Sequence, residues 1–283
     1  MTKKISAVLF LLLLCSAAHA EEPAVERPVL SAYAIEAGSS HITETYLSPL
    51  HHSGTALAFS YERMQAMRFD PKRWVMRLDM RLSGARTLNQ PARNAYLWDM
   101  SIRAGWSMLR RFRPAGNWTV FAGGSTDIEG GAFYLPRNSN NPVAAKASWT
   151  VNLAAGAAWN HRFGKVPVCF RYLAEMPLTG IFFSPQYGEL YYEIYLGNHK
   201  DLVRGAWWGN FFRLDNLLTA DIRLGRTIIR AGYRCDILST KASHIVTRRI
   251  EHMAVLGIAS EWISLSADRR GPSRECRIIS ALY

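Results

Sequence analysis

Between Arg73 and Ser83 the residue character changes at almost every step. Trp74, Met76, Leu78, Met80 and Leu82 alternate with Arg73, Val75, Arg77, Asp79, Arg81 and Ser83. Successive side chains of a β-strand point to opposite faces, so this period of two predicts a strand with one apolar and one charged face. The next segment repeats it, with Tyr96, Trp98, Met100, Ile102, Ala104, Trp106 and Met108 opposite Asp99, Ser101, Arg103, Gly105 and Ser107. Trp149 to Asn160, Leu218 to Leu224 and Thr227 to Ile237 alternate in the same way, and weaker examples cover 40–47, 54–64, 117–126, 166–176, 189–196 and 250–264. Turn-forming clusters such as Asp70-Pro71, Asn89-Gln90-Pro91, Pro114-Ala115-Gly116 and Gly271-Pro272 separate these segments. No long window carries a 3.6-residue period. The chain is predicted to be all-β, with an irregular lead-in over 21–37 and one β-domain over 38–283.

Alternation alone does not say which face is inside. A soluble sandwich turns its apolar face inward, whereas a transmembrane barrel turns it toward lipid. Several segments run well past the five or six residues of an ordinary soluble strand, and a membrane-crossing strand needs about 9–11. Trp98 and Trp106 lie ~27 Å apart along a strand, and Trp149 and Trp159 ~34 Å. At a tilt near ~40° these become roughly 20–26 Å of height, which matches an apolar band flanked by aromatic girdles. Trp74, Trp98, Trp106, Trp149 and Trp159 are therefore assigned to the lipid interface. The opposite face carries Arg77, Asp79, Arg81, Asp99, Arg103, Arg171, Glu175, Asp221, Arg223, Arg230, Arg234 and Asp236, which would form an ionic lumen. The expectation is a transmembrane antiparallel up-and-down β-barrel of about twelve strands, ten and fourteen being the neighbouring even solutions. The terminal Tyr283 suits a barrel-assembly signal.

The amino terminus sets the compartment. Lys3 and Lys4 precede an apolar run from Ile5 to Leu14, and Ala18-His19-Ala20 offers a small-x-small cleavage site, so export with cleavage after Ala20 is expected. Leu14 before Cys15 argues against a lipoprotein. Cys169, Cys235 and Cys276 remain, an odd and widely spaced set with no disulfide framework or metal-ligand spacing; a Cys235–Cys276 bridge is open. A hydrophobic content of 49% excludes disorder over most of the chain. The net charge of +12 does not indicate nucleic-acid binding, because basic residues alternate with acids instead of forming a patch. Arginines at a barrel rim suit outer-membrane lipid and lipopolysaccharide phosphates instead.

Candidate chemistry is sparse. Residues 181–212 hold ten of the 33 aromatic side chains, broken by Pro185 and Gly188. A loop there could offer Phe183, Tyr187, Glu189, Tyr191, Tyr192 and Glu193 to a ligand; the same residues would equally serve an interfacial belt. Read as a strand, Glu189 to Tyr195 places Tyr191, Glu193 and Tyr195 on one face and Leu190, Tyr192 and Ile194 on the other. No catalytic residues, metal ligands or cofactor motif emerge. Ser243 and His244 are adjacent, and His252 and Ser260 are ~27 Å apart along a strand, so neither makes a nucleophile–base pair.

Three stretches carry a resemblance: Thr45 to Leu50, Phe183 to Glu193, and Leu224 to Trp262. They resemble an uncharacterised family of outer-membrane β-barrels from Bacteroidetes-type Gram-negative bacteria, catalogued as a domain of unknown function. The resemblance implies the barrel and the compartment, and no catalytic residues. Outer-membrane lipid and the barrel-assembly machinery are the expected partners of a monomer. The resulting expectation is an outer-membrane barrel with a narrow, ionic, occluded lumen in envelope transport, binding or structure. A barrel-embedded lipid hydrolase or acyltransferase and a soluble periplasmic β-protein are the alternatives.

Overall fold

The computed structural model describes residues 25–114, 116–139, 141–225, 227–262 and 277–282. The expected leader, its expected cleavage site and Cys276 lie outside the described residues. The strands are β1 (Val25–Glu26), β2 (Val29–Glu44), β3 (Ser48–Ala66), β4 (Trp74–Asn89), β5 (Tyr96–Phe112), β6 (Trp118–Tyr134), β7 (Val143–Phe163), β8 (Val166–Phe183), β9 (Val203–Ala206), β10 (Phe211–Leu224), β11 (Thr227–Ala242), β12 (Ile245–Trp262) and β13 (Arg277–Ile278). A single helical turn, α1 (Tyr191–Tyr195), lies between β8 and β9.

Strands β2 to β8 follow one another as antiparallel neighbours, β10 to β12 continue on the other side of β2, and β10 pairs with β8 to close the barrel. The closed wall therefore has ten strands, with β9 as an eleventh beside β8. The count falls below twelve because strands of up to 21 residues, the 184–210 excursion and a carboxy-terminal segment use up chain. β13 is not a wall strand: it pairs in parallel with β1. The lead-in is shorter than the alternation suggests, since β2 begins at Val29. Its inward residues Leu30, Ala32 and Ala34 are themselves apolar, which hides the period of two.

The exterior is apolar and the interior charged, the inverse of a soluble protein. Along β4, Val75, Arg77, Asp79, Arg81 and Ser83 are buried while Met80 and Leu82 are exposed. Trp98, Trp106 and Trp149 are also exposed, and Trp74 and Trp159 are half-exposed. Near the turn end, Trp118, Trp159 and Phe170 stack across three strands at 6.1 and 5.7 Å, forming one girdle. At the other end the guanidinium of Arg86 lies 4.0 Å from the Tyr96 ring and 5.4 Å from that of Trp98. Beyond it the outward residues of β2 become Ser39, His41 and Thr43. The apolar band ends there.

The interior is layered. Near the chain termini Leu30, Met64, Val75, Leu109, Phe121, Leu173 and Ile228 pack around Ala281 and Leu282, so the carboxy-terminal segment fills that end of the bore. Arg111 holds it, donating from Nη1 to the carbonyls of Ser280 (2.6 Å) and Ala281 (3.1 Å).

Candidate functional site

Above the apolar layer lies the ionic one. Glu62 of β3 accepts from three guanidinium groups: Arg77 at 2.7 Å, Arg171 at 2.5 Å and Arg230 at 2.6 Å. Arg77 also reaches Asp79 (2.9 Å) and Glu175 (3.2 Å), and Arg230 reaches Asp221 (2.7 Å). Higher up, Arg81 bridges Glu36 (2.8 Å) and Glu251 (2.9 Å). Arg103 and Arg234 share Asp215. Arg213 joins Asp236 to Glu129, and Arg249 joins Glu129 to Asp99. The pairs link strands across the bore as well as along the wall. Arg171, with no exposed side-chain surface, shows how completely the space is filled.

Of the residues assigned to the lumen from alternation, Arg77, Asp79, Arg81, Asp99, Arg103, Asp221, Arg230, Arg234 and Asp236 are buried in this network. Arg223 sits at its edge, one-third exposed, paired with Glu261 at 2.7 Å. Sequence reasoning missed Glu36, Glu62, Glu129, Arg213, Asp215, Arg249 and Glu251. Each has inward parity, on a weakly alternating strand or, for Arg213 and Asp215, on the part of β10 that precedes its clear alternation from Leu218, so parity counted outward from the clear segments would have found them.

The network is roofed by a small cavity at the loop end, of about 60 Å³. Its walls combine Phe182, Phe211, Leu238 and Ile245 with Glu44, Lys146, Thr240 and Thr247. Glu44 accepts from the Thr247 hydroxyl and from the Tyr46 backbone N–H (3.2 Å). Lys146 pairs with Asp99, its ammonium 3.9 Å from the Phe133 ring centroid. Tyr46 and Tyr191 close the top, their rings edge to face at 5.7 Å. Burial pushes both phenols above their ordinary pKa, so both stay protonated and able to donate.

The aromatic loop contributes less than its composition suggests. Residues 191–195 form α1 and not a strand, since Pro185 and Gly188 (φ 82°) turn the chain away from the sheet. Glu193 accepts from the Leu190 N–H at 3.1 Å and caps that turn. Tyr191 points into the cavity, its hydroxyl accepting from the Ala145 N–H at 2.6 Å and its ring stacked 6.4 Å from Phe183. Glu189 is buried as a loop pin: it accepts from Gln186 N–H (2.9 Å) and Asn198 Nδ2 (2.7 Å), while its carbonyl accepts from the Tyr46 hydroxyl (2.7 Å). Tyr187 and Tyr192 are each 66% exposed, and Glu193 is exposed as well. Phe183, Glu189 and Tyr191 thus meet at the mouth, and Tyr187, Tyr192 and Glu193 do not. Glu44, Tyr46 and Lys146 join the site from other strands.

An apolar outside and a charged inside define a transmembrane β-barrel. The chain belongs to the family described as Protein of unknown function (DUF3316), whose pattern matches residues 7–269. Among curated proteins no relative matches. Among solved structures the chain is similar to Neisserial surface protein A (10% identity, 82% of this chain and 97% of that one, TM-score 0.32). It is also similar to the translocator domain of the autotransporter NalP from Neisseria meningitidis (10% identity, 92% and 96%, TM-score 0.36).

Proposed function

We propose that this protein is an outer-membrane barrel of a Gram-negative, Bacteroidetes-type bacterium, exported by a leader cleaved after Ala20. It acts as a closed binding protein and not as a diffusion pore. One observation carries this reading: the guanidinium–carboxylate pairs reach from wall to wall with buried side chains. Moving a buried charge off its partner costs several kcal/mol, so a network this connected is a barrier to solutes. The long 184–210 connection and the mouth cavity lie at the end away from the termini, which in this class faces the exterior. Binding accordingly takes place at the mouth. Arg86, Lys241 and Arg248 are exposed above the apolar band and suit lipopolysaccharide phosphates.

Purified protein in planar bilayers tests the reading. The expected result is no stable, porin-like conductance. Steady conductance on the scale of a large porin would overturn it and make solute diffusion the function.

A further inference from the structure

The barrel wall is incomplete beside the mouth. The β7–β8 ladder ends at Ser148–Phe182, although β7 continues to pair with β6 as far as Val143–Tyr134. Residues 143–147 therefore lack a strand partner on their β8 side, because β8 ends at Phe183 and the chain turns away at Pro185, while β9 pairs with the opposite edge of β8. Side chains fill the interval: Tyr191 takes the Ala145 N–H, and Phe183 stacks on Tyr191.

Outside this interval lies an apolar groove of about 610 Å³ on the lipid-facing wall. This is within the roughly 300–1,000 Å³ of small-molecule sites. Its floor is made of small residues, Ala104, Gly130 and Ala147, and its flanks include Ile128, Trp149 and Ile181. Registration places Ala104, Ile128, Trp149 and Ile181 in one row across four strands. The groove and the mouth cavity share Glu129, Ala147, Ser148, Phe182 and Phe183 as lining. The inner and outer sites adjoin through the unpaired stretch of wall.

We propose that this interval is a lateral portal, through which a single-chain amphiphile with an uncharged, hydroxyl-bearing head reaches the mouth from the membrane. The chain lies in the groove and the head passes Phe183 into the cavity. Charge selects the head. Lys146 is already paired with Asp99, and Glu129 with Arg213 and Arg249, so a phosphate in the cavity would meet no free cation and would face Glu44, whose carboxyl accepts from the Thr247 hydroxyl and the Tyr46 N–H. The hydroxyls of Tyr46, Ser148, Ser184, Thr240 and Thr247 suit a glycerol or sugar head. This inference rests on the mouth being the binding site.

A monoacylglycerol carrying a head-end diazirine, photolysed with the barrel in phosphatidylethanolamine vesicles, tests it. Mapped adducts should fall on cavity residues such as Tyr46, Pro185 and Tyr191. Gly130→Leu fills the groove without a clash, since a Cβ there meets nothing within 4 Å. It should lower cavity labelling about tenfold, the loss expected when roughly two chain methylenes are no longer buried. The variant's heat-modifiable gel mobility should be unchanged, showing an intact barrel. Adducts confined to outward residues such as Ile128 and Trp149, or equal cavity labelling in Gly130→Leu, would overturn the portal. A conducting barrel in the bilayer experiment would instead sink the closed-lumen reading, and the labelling pattern would remain interpretable by itself.

Discussion

Glu62 and Leu153 show how differently the two faces tolerate change. Glu62 is surrounded by Arg77, Arg171 and Arg230, so Glu62→Gln takes from Arg171 its carboxylate partner, while Arg77 keeps Asp79 and Glu175 and Arg230 keeps Asp221. Removing one partner of a buried ion pair costs ~3–5 kcal/mol, and urea unfolding in vesicles should show a loss of that size. Asp79→Asn should be milder, because Arg77 keeps Glu62 and Glu175. Leu153 is exposed to lipid between Trp149 and Trp159. Leu153→Arg should cost ~2–4 kcal/mol and block assembly, read as loss of heat-modifiable mobility. Equal tolerance of Leu153→Arg and Asp79→Asn would contradict the membrane-facing assignment. Tyr191→Phe removes the acceptor for the Ala145 N–H and is expected to cost about 1 kcal/mol.

The elements differ in what holds them. β7 and β8 pair over most of their length, with one irregularity between Val151 and Asn152 opposite Pro177. Proline has no N–H for the ladder, so a bulge at that point relieves the pairing. The 184–210 connection has few such bonds and is held by Glu189, Tyr46 and Tyr191. Lys200 is exposed within it. Trypsin added to intact cells should cut after Lys200 while the strands stay protected, and complete protection would show that this connection is not accessible from outside. The carboxy-terminal segment is held by packing and by Arg111. Leu282→Ala is expected to cost ~2–5 kcal/mol, since Leu282 lies in the apolar layer with 1% exposure.

Along its axis the barrel stacks three fillings: the apolar layer around Leu282, the ion pairs around Glu62 and Arg213, and the roofed mouth. On the proposed closed-lumen reading, the middle layer by itself closes the bore. Truncation before residue 277 should therefore lower stability without creating conductance, and a pore in that truncated form would show that the tail is the true plug. The turn end is strongly basic on its outer surface, with Arg68, Lys72, Arg73, Arg110, Arg113, Arg162 and Lys165 exposed. Charge there faces headgroups and not the hydrocarbon, which accounts for a basic chain whose lumen is nearly balanced.

The class of fold was legible in residues 73–108, because a strand shows its neighbours one face at a time and both faces here have distinct chemistry. The Trp98–Trp106 spacing set the direction of that asymmetry, since it matches a membrane thickness. Where both faces of a strand are alike, as at Leu30 to Ala34, alternation carries no signal and the start of β2 was invisible. Strand number depends on how long each strand runs and how the ends pair, and only closure of β8 on β10 decided it. The mouth was decided the same way. Glu44, Lys146, Phe183 and Tyr191 lie far apart in the chain and meet because the barrel brings β2, β7 and β8 to one end. Local periodicity records which side a residue faces, whereas ring closure determines what it faces.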